Sequence, residues 1–209
     1  MRGLFITFEG NDGSGKSSVS SAIKEELQKL NIDFITTREP GGSMIAEKIR
    51  EIILDKENKE MDPKTEALLY AASRREHLIH TVLPALKEGK VVLSDRYLDS
   101  SLVYQGIARG LGVDEIFNMN EFAVEGCLPD LTIMIAVRPE IGMSRIKKNR
   151  GELDRLELEQ LSFHNMVYEG YHEIAKRFPN RIVMIDGEKA KEEVIEDAKK
   201  IVLQYLQRR

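Results

Sequence analysis

The chain is poor in the residues and patterns that mark several large classes of protein. Among its 209 residues is a single cysteine, Cys127, which excludes an internal disulfide and a cysteine-based metal site. The histidines are few, and His77, His80, His164 and His172 lack carboxylate partners at metal-ligand spacing. His77 and His80 stand three apart on a helical pattern with no third ligand in view, so all four read as core or surface side chains. No apolar run approaches the ~20 residues that cross a bilayer, and nothing near Met1 resembles a signal peptide. The expected compartment is therefore the cytoplasm, without a membrane partner. A basic excess is missing too: the formal net charge of −4 argues against nucleic acid as the main ligand, because phosphate-backbone binders carry surplus Lys and Arg. There is no low-complexity tract and no internal repeat.

What is present is ordinary globular composition, 42% hydrophobic and 32% charged, in a length that fits one domain spanning 1–209. Short apolar runs at 4–8, 34–37, 91–94, 131–136 and 181–185 alternate with helical patterns at 16–30, 44–54, 64–87, 99–108, 114–125, 139–148, 157–177 and 189–207. Strands nearly continuous in Ile, Val and Leu, separated by helices, predict an α/β fold: a five-stranded parallel sheet with helices on both faces. Such sheets bind ligands at the C-terminal edge of their strands. Asp62 and Pro63 form a start signal for the long helix at 64–87, and Pro84 predicts a kink or an end within it. The polar, glycine-interrupted stretch at 147–156 reads as a short lid over a bound nucleotide, or as a solvated interhelical turn.

The chemistry begins at Gly10-Asn11-Asp12-Gly13-Ser14-Gly15-Lys16-Ser17, which follows the first strand pattern and opens the first helix. Glycines at 10, 13 and 15 permit turns in which successive amide N–H groups converge on phosphate oxygens at a helix N-terminus. Lys16 adds charge toward the β and γ phosphates, and the Ser17 hydroxyl suits the magnesium that bridges them. With Ser18, this P-loop is the expected ATP and phosphate site. Alone it leaves ATPase, GTPase, motor and kinase open.

Two further segments narrow the choice. Thr37-Arg38-Glu39-Pro40-Gly41-Gly42-Ser43 follows the second strand, and Asp95-Arg96-Tyr97 follows the third. Together with Phe8-Glu9-Gly10 they resemble, in order and spacing, the motif set of the thymidylate kinase family. Arg150-Gly151-Glu152-Leu153-Asp154-Arg155 looks like the lid of its bacterial members. The resemblance implies a P-loop kinase fold, transfer of the γ-phosphoryl of ATP to dTMP with Mg2+, and a homodimer. It implies that Lys16 and the loop amides hold ATP, that Ser17 and Asp95 organise magnesium, and that Arg155 joins the ATP side. On the acceptor side it implies Asp12 and Glu39 shaping the site and Arg96 on the monophosphate. It further implies Arg74 at O4 of thymine, Tyr70 stacked on the ring, Tyr104 beside the deoxyribose, and Ser101 and Gln105 lining the pocket. Ser101 departs from the threonine or asparagine common in relatives.

Independently of the family, phosphoryl transfer between two nucleotides brings two polyanions together, so arginines and magnesium are the expected tools. Tyr70 and Arg74, four apart, lie on one helix face, although an aromatic at helical spacing also packs in cores. Glu9 is placed to tune magnesium or the acceptor, or to serve the fold. Where some relatives carry a basic residue inside the loop, this chain has Gly13, so the missing charge must come from elsewhere. Lys16, Asp12, Arg96 and Arg150 are the expected catalytic set, with Arg150 as the lid arginine. The rivals are another nucleoside monophosphate kinase and a P-loop switch or motor.

Overall fold

Strand patterns rich in β-branched residues become five strands, each within a residue or so of its sequence expectation: β1 (Phe5–Glu9), β2 (Phe34–Arg38), β3 (Val91–Asp95), β4 (Leu131–Ala136) and β5 (Ile182–Asp186). In the computed structural model, which describes residues 2–149 and 154–207, they form one sheet in the order β2-β3-β1-β4-β5, with every pairing parallel. Helices cover both faces, as an all-parallel sheet requires.

The period-two alternation of β1 divides the core. Ile6 and Phe8 pack with Leu93, Ile133 and Ile135 against Val19, Ile23 and Leu27 of α1 (Lys16–Lys29) and Val194, Ala198 and Val202 of α9 (Lys191–Gln207). Phe5 faces the other way, with Val92 and Met134, toward α3 (Pro63–His77) and α8 (Leu161–Arg177). On that face the alternation also buries Thr7, Glu9 and Thr132. Burying polar groups is costly unless they are paired, and here the Thr7 and Thr132 hydroxyls meet at 2.8 Å.

Register brings the strand ends together. Asp95 stands opposite Phe8 on one side and Arg38 on the other, so the segments that follow β1, β2 and β3 share one edge. The chain steps outward from β1 to β2 and returns past β1 to β4, which places the topological switch, and the expected ligand crevice, at this edge.

Helix boundaries carry the informative departures. α2 (Met44–Leu54) matches its pattern and is capped by Ser43, which accepts from Ala46 N–H. α3 starts at Pro63, and Asp62 accepts from the N–H groups of Lys64 and Thr65 at 3.0 and 3.1 Å. The single helix expected at 64–87 is instead α3, a π-helical stretch Leu78–Val82, and α4 (Leu83–Lys87). Pro84 cannot donate to the ladder, and the widened turn just before it, with Leu83 N–H reaching back to Leu78 O, absorbs the break. The helix expected at 99–108 is short α5 (Leu98–Ser101) followed by a second π-helical stretch, Leu102–Ala108. α6 (Val113–Val124) and α7 (Pro139–Asn149) follow their patterns. α8 begins at Leu161, later than 157, because Asp154 accepts from Leu156 N–H and Glu157 N–H while Glu157 accepts from Asp154 N–H, closing a separate turn. Of the expected lid at 147–156, residues 147–149 end α7 and 154–156 belong to this turn. Arg150, Gly151, Glu152 and Leu153 lie outside the described residues.

Candidate active site

A cleft of about 860 Å³ opens along the shared strand edge. One end is lined by residues 12–19 of the P-loop and α1, together with Gly187, Lys189 and Val194. The other is lined by Tyr70, Arg74, Tyr104 and Gln105, with Arg96 and Asp95 between.

The loop is built by glycines in backbone regions that other residues rarely adopt. Gly10, Gly13 and Gly15 have φ of 137°, 75° and 101°. Gly13 also lies against α7, since a Cβ there would stand 2.2 Å from the carbonyl oxygen of Gly142. This is the physical reason the loop holds no basic residue at that position. Arg145, three residues beyond Gly142, reaches the Gly13 and Gly187 carbonyls at 3.4 and 3.1 Å and puts a cation beside the loop from outside it. Gly15 precedes α1 as its N-cap and offers no side-chain cap, leaving the first amides of the helix to an anion. The buried Lys16 ammonium donates to the Gly10 and Asn11 carbonyls at 2.9 and 3.1 Å. Burial and the charge of Arg96 lower its pKa, a penalty that phosphate oxygens would relieve.

Arg96 holds the centre. Its φ of 69° is left-handed, a conformation costing an L-residue roughly 1–2 kcal/mol, and the turn is fixed by Arg96 N–H to Phe8 O at 3.0 Å and Ser94 Oγ to Arg96 O at 2.8 Å. That turn aims the guanidinium back over the P-loop. It donates to Gly10 O at 3.1 Å, Ser100 Oγ at 3.1 Å, Tyr171 Oη at 3.0 Å and Asp12 Oδ1 at 2.5 Å, and lies 5.3 Å from the centre of the Tyr104 ring. Burial opposes its charge, but Tyr104, Asp12 and Tyr171 outweigh that and hold its pKa well above the ordinary value. Asp12 shows the mirror effect. Burial alone would raise its pKa, yet Arg96 and Lys16 pull it down to about 2, so it stays ionised. Tyr104 Oη donates to the same carboxylate at 3.4 Å.

Beneath Arg96, Glu9 is fully buried. It accepts from Tyr97 N–H at 2.8 Å, Ser100 Oγ at 2.6 Å and Tyr171 Oη at 3.1 Å. Burial, then the neighbouring Asp99, pushes its pKa up to about 7.

Arg74, 1% exposed, organises the far end. It donates to Glu39 Oε2 at 2.8 Å, to Asn120 Oδ1, to Tyr97 O at 3.1 Å and to Ser101 Oγ at 3.1 Å. A guanidinium has five N–H donors, so one Nη1 hydrogen is left uncommitted on a side chain that lines the cleft. Glu39, whose bond to Pro40 is cis, also accepts from His77 Nδ1 at 2.9 Å.

For a metal, the donors present are hard oxygens. Asp95 Oδ1 is buried without a hydrogen-bond partner among the described residues, and Ser17 lines the same stretch of cleft. No cluster of three or more His, Cys, Asp or Glu able to hold a metal occurs among the described residues. An ion that takes most of its ligands from substrate phosphates and water needs only such a carboxylate and hydroxyl, which is how Mg2+ binds.

A crevice that can seat a nucleoside triphosphate at one end and a monophosphate at the other now has its counterpart among known proteins. The family model described as thymidylate kinase matches residues 8–198. The chain belongs to this family. A thymidylate kinase of Bacillus velezensis is 53% identical over 209 residues, covering 100% of this chain and 99% of that one. One of Oceanobacillus iheyensis is 53% identical over 207 residues, covering 99% of this chain and 92% of the relative. A crystal structure of thymidylate kinase from Ehrlichia chaffeensis superposes with a TM-score of 0.79 at 29% identity, over 97% of this chain and 100% of that one.

Against the family expectation, the structure brings Asp12, Lys16, Ser17, Ser18, Glu39, Tyr70, Arg74, Asp95, Arg96, Tyr104 and Gln105 to one cleft. Gly10 and Asn11 serve it through their carbonyls. Two expected residues stand elsewhere. Ser101 sits behind Arg74 as a hydrogen-bond partner, and it is Ser100 that lines the cleft. Arg155, expected on the ATP side, is buried with its guanidinium on Ile53 O at 2.8 Å and Glu66 Oε2 at 2.5 Å, behind the acceptor end. Sequence reasoning also missed Tyr171, Arg145 and Glu66. The absent loop arginine was a hint toward Arg145, and Glu66 shares the helix face of Tyr70 and Arg74 on α3, whereas Tyr171 reaches the site from α8 with no local signal.

Proposed function

We propose that the chain transfers the γ-phosphoryl group of ATP to dTMP, giving dTDP and ADP, as an Mg2+-dependent phosphotransferase of the cytoplasm. The observation that carries this reading is the position of Arg96, joined to the P-loop through Gly10 and Asp12 and facing the pocket of Tyr70, Arg74 and Tyr104. ATP phosphates lie on the amides of residues 13–18 and on Lys16. Mg2+, held by Ser17 and Asp95, would neutralise the β and γ oxygens. Arg96 takes the acceptor phosphate, Tyr70 stacks on the base, and the free Nη1 hydrogen of Arg74 meets a base carbonyl. Tyr104 fills the space beside the sugar.

In the reaction an acceptor phosphate oxygen forms a bond to the γ phosphorus while the bond from that phosphorus to the β–γ bridging oxygen breaks. No proton need move, so the protein's task is alignment and charge neutralisation. Asp12 keeps Arg96 oriented through a charge-assisted bond before the acceptor arrives. Arg150, flanking the motif at 150–155, is our choice for the arginine that reaches the transferred group, with Arg145 the cation already beside the loop.

A homodimer is part of the same proposal. Phe122 on α6 and Leu68 on neighbouring α3 are 89% and 59% exposed, with Met44 and Ile45 exposed on adjacent α2, an apolar face suited to a second copy.

The test is phosphoryl transfer from ATP to a panel of monophosphates. The expected result is dTMP far ahead of dCMP, dAMP and dGMP, with dUMP retained at a discount set by one methyl group, ~1–3 kcal/mol. Equal use of all acceptors, or ATP hydrolysis indifferent to any of them, would overturn it.

A further inference from the structure

Behind the acceptor pocket lies a buried ion cluster that no motif announces. Glu66 on α3 is 1% exposed, and its carboxylate accepts from Gln105 Nε2 at 2.9 Å, Arg109 Nε at 3.4 Å, Arg109 Nη2 at 3.3 Å and Arg155 Nη2 at 2.5 Å. Arg109 in turn meets Glu159 at 2.6 Å and lies over the Phe163 ring, and Arg155 is tied to Ile53 O. A carboxylate offers about four lone-pair sites, and all are taken by donors. Burial would raise the pKa of Glu66, but Gln105 and the two arginines hold it below the ordinary value, so it is ionised and accepts only.

This fixes something a glutamine leaves open. The amide of Gln105 can present either its NH2 or its carbonyl to the cleft it lines, but an acceptor-only partner behind it must take the NH2. The carbonyl Oε1 has no hydrogen-bond partner among the described residues and is not sealed from the cleft. Beside it stands Arg74, whose remaining group is a donor. The pocket therefore offers one donor and one acceptor in fixed order.

We propose that Glu66 is a specificity-determining positioning residue: by locking Gln105 with Oε1 toward the pocket, it selects pyrimidines that carry an N3–H and a C4 carbonyl and rejects those with a bare N3 and a C4 amine. This rests on the acceptor being a pyrimidine deoxynucleotide. Thymine and uracil match the pattern, whereas cytosine would set its N3 lone pair against Oε1.

The experiment measures kcat/KM for dTMP and for dCMP with wild type, Glu66→Gln and Glu66→Asp, alongside thermal unfolding. In Glu66→Gln the new amide can accept or donate, so Gln105 is free to flip, and the dTMP to dCMP ratio is expected to fall about 10-fold or more, the worth of a hydrogen bond. The change should come from higher KM for dTMP together with improved use of dCMP, which a merely loosened fold would not produce. Glu66→Asp withdraws the carboxylate by one methylene and keeps the charge. Its ratio is expected to fall less, and it carries the test if Glu66→Gln does not fold. A ratio unchanged in the folded variants overturns the inference. A wild type inactive on dTMP overturns the proposed function instead, so the two failures are distinguishable.

Discussion

Replacing Arg74 with methionine tests whether one buried guanidinium holds the acceptor half of the site together. Its donors join four parts of the chain: Glu39 after β2, Tyr97 after β3, Ser101 in α5 and Asn120 in α6. Methionine fills similar volume but leaves the Glu39 carboxylate, 4% exposed, with His77 as its remaining partner. Removing one member of a buried ion pair costs ~3–5 kcal/mol, and the three neutral acceptors, Tyr97 O, Ser101 Oγ and Asn120 Oδ1, lose roughly 1 kcal/mol each where water cannot replace the donor. A combined loss of ~3–8 kcal/mol, the upper end applying where water replaces none of the lost donors, against a typical total of ~5–15 kcal/mol would be visible as a large drop in the urea midpoint with an unchanged slope. Arg74→Lys keeps the charge but not the planar fork, and should lose about half as much while raising KM for dTMP and leaving KM for ATP near its wild-type value. A methionine variant within ~1 kcal/mol of wild type would refute the reasoning, because the network could not then be carrying the pocket.

Gly13→Ala places a Cβ 2.2 Å from Gly142 O at a φ of 75°, so it should destabilise the protein by at least ~1–2 kcal/mol and raise KM for ATP; a variant with wild-type melting and KM would contradict the packing argument. Arg150→Ala should lower kcat by ~10³-fold or more with little change in dTMP affinity, measured by steady-state kinetics and calorimetry, and an unchanged kcat would remove Arg150 from the proposed set. For Glu9 the folded pKa of about 7 exceeds the ordinary 4.5, so its contribution to stability is fully present below pH 4.5 and declines as pH rises through 7. Glu9→Gln should flatten that decline in urea titrations across this window, and parallel pH profiles would count against it. Asp12 has the opposite sign, its folded pKa of about 2 lying below 3.8, so its contribution is present above pH 3.8 and is lost as pH falls through 2.

What sequence could and could not disclose follows from the range of the interactions. Strand cores such as β4 and the capped α2 are specified by local alternation and by Ser43, and both fall where the pattern puts them. The π-helical stretch Leu102–Ala108 is different. Its hydrophobic spacing looks helical, and the extra residue per turn, seen in Arg109 N–H reaching Tyr104 O at 2.9 Å, accompanies packing on α8 and α6. The same holds in the site. Arg96 and the P-loop lie in contiguous motifs whose chemistry can be read residue by residue, while Arg74, inside a long helix, is marked out by the family resemblance and by its spacing from Tyr70. Arg155 reads as one more motif arginine until Glu66, 89 positions away, is seen to take it. Tyr171 reaches Glu9 across 162 positions, a pairing set by helix packing and not by any local pattern.

In the proposed reaction two anionic substrates meet directly across the Arg96 crevice. A rapid-quench experiment with γ-32P-labelled ATP, Mg2+ and dTMP tests it most directly. Label is expected first in dTDP, and Arg96→Met is expected to remove this transfer; label released as inorganic phosphate at a rate independent of dTMP would rule direct transfer out.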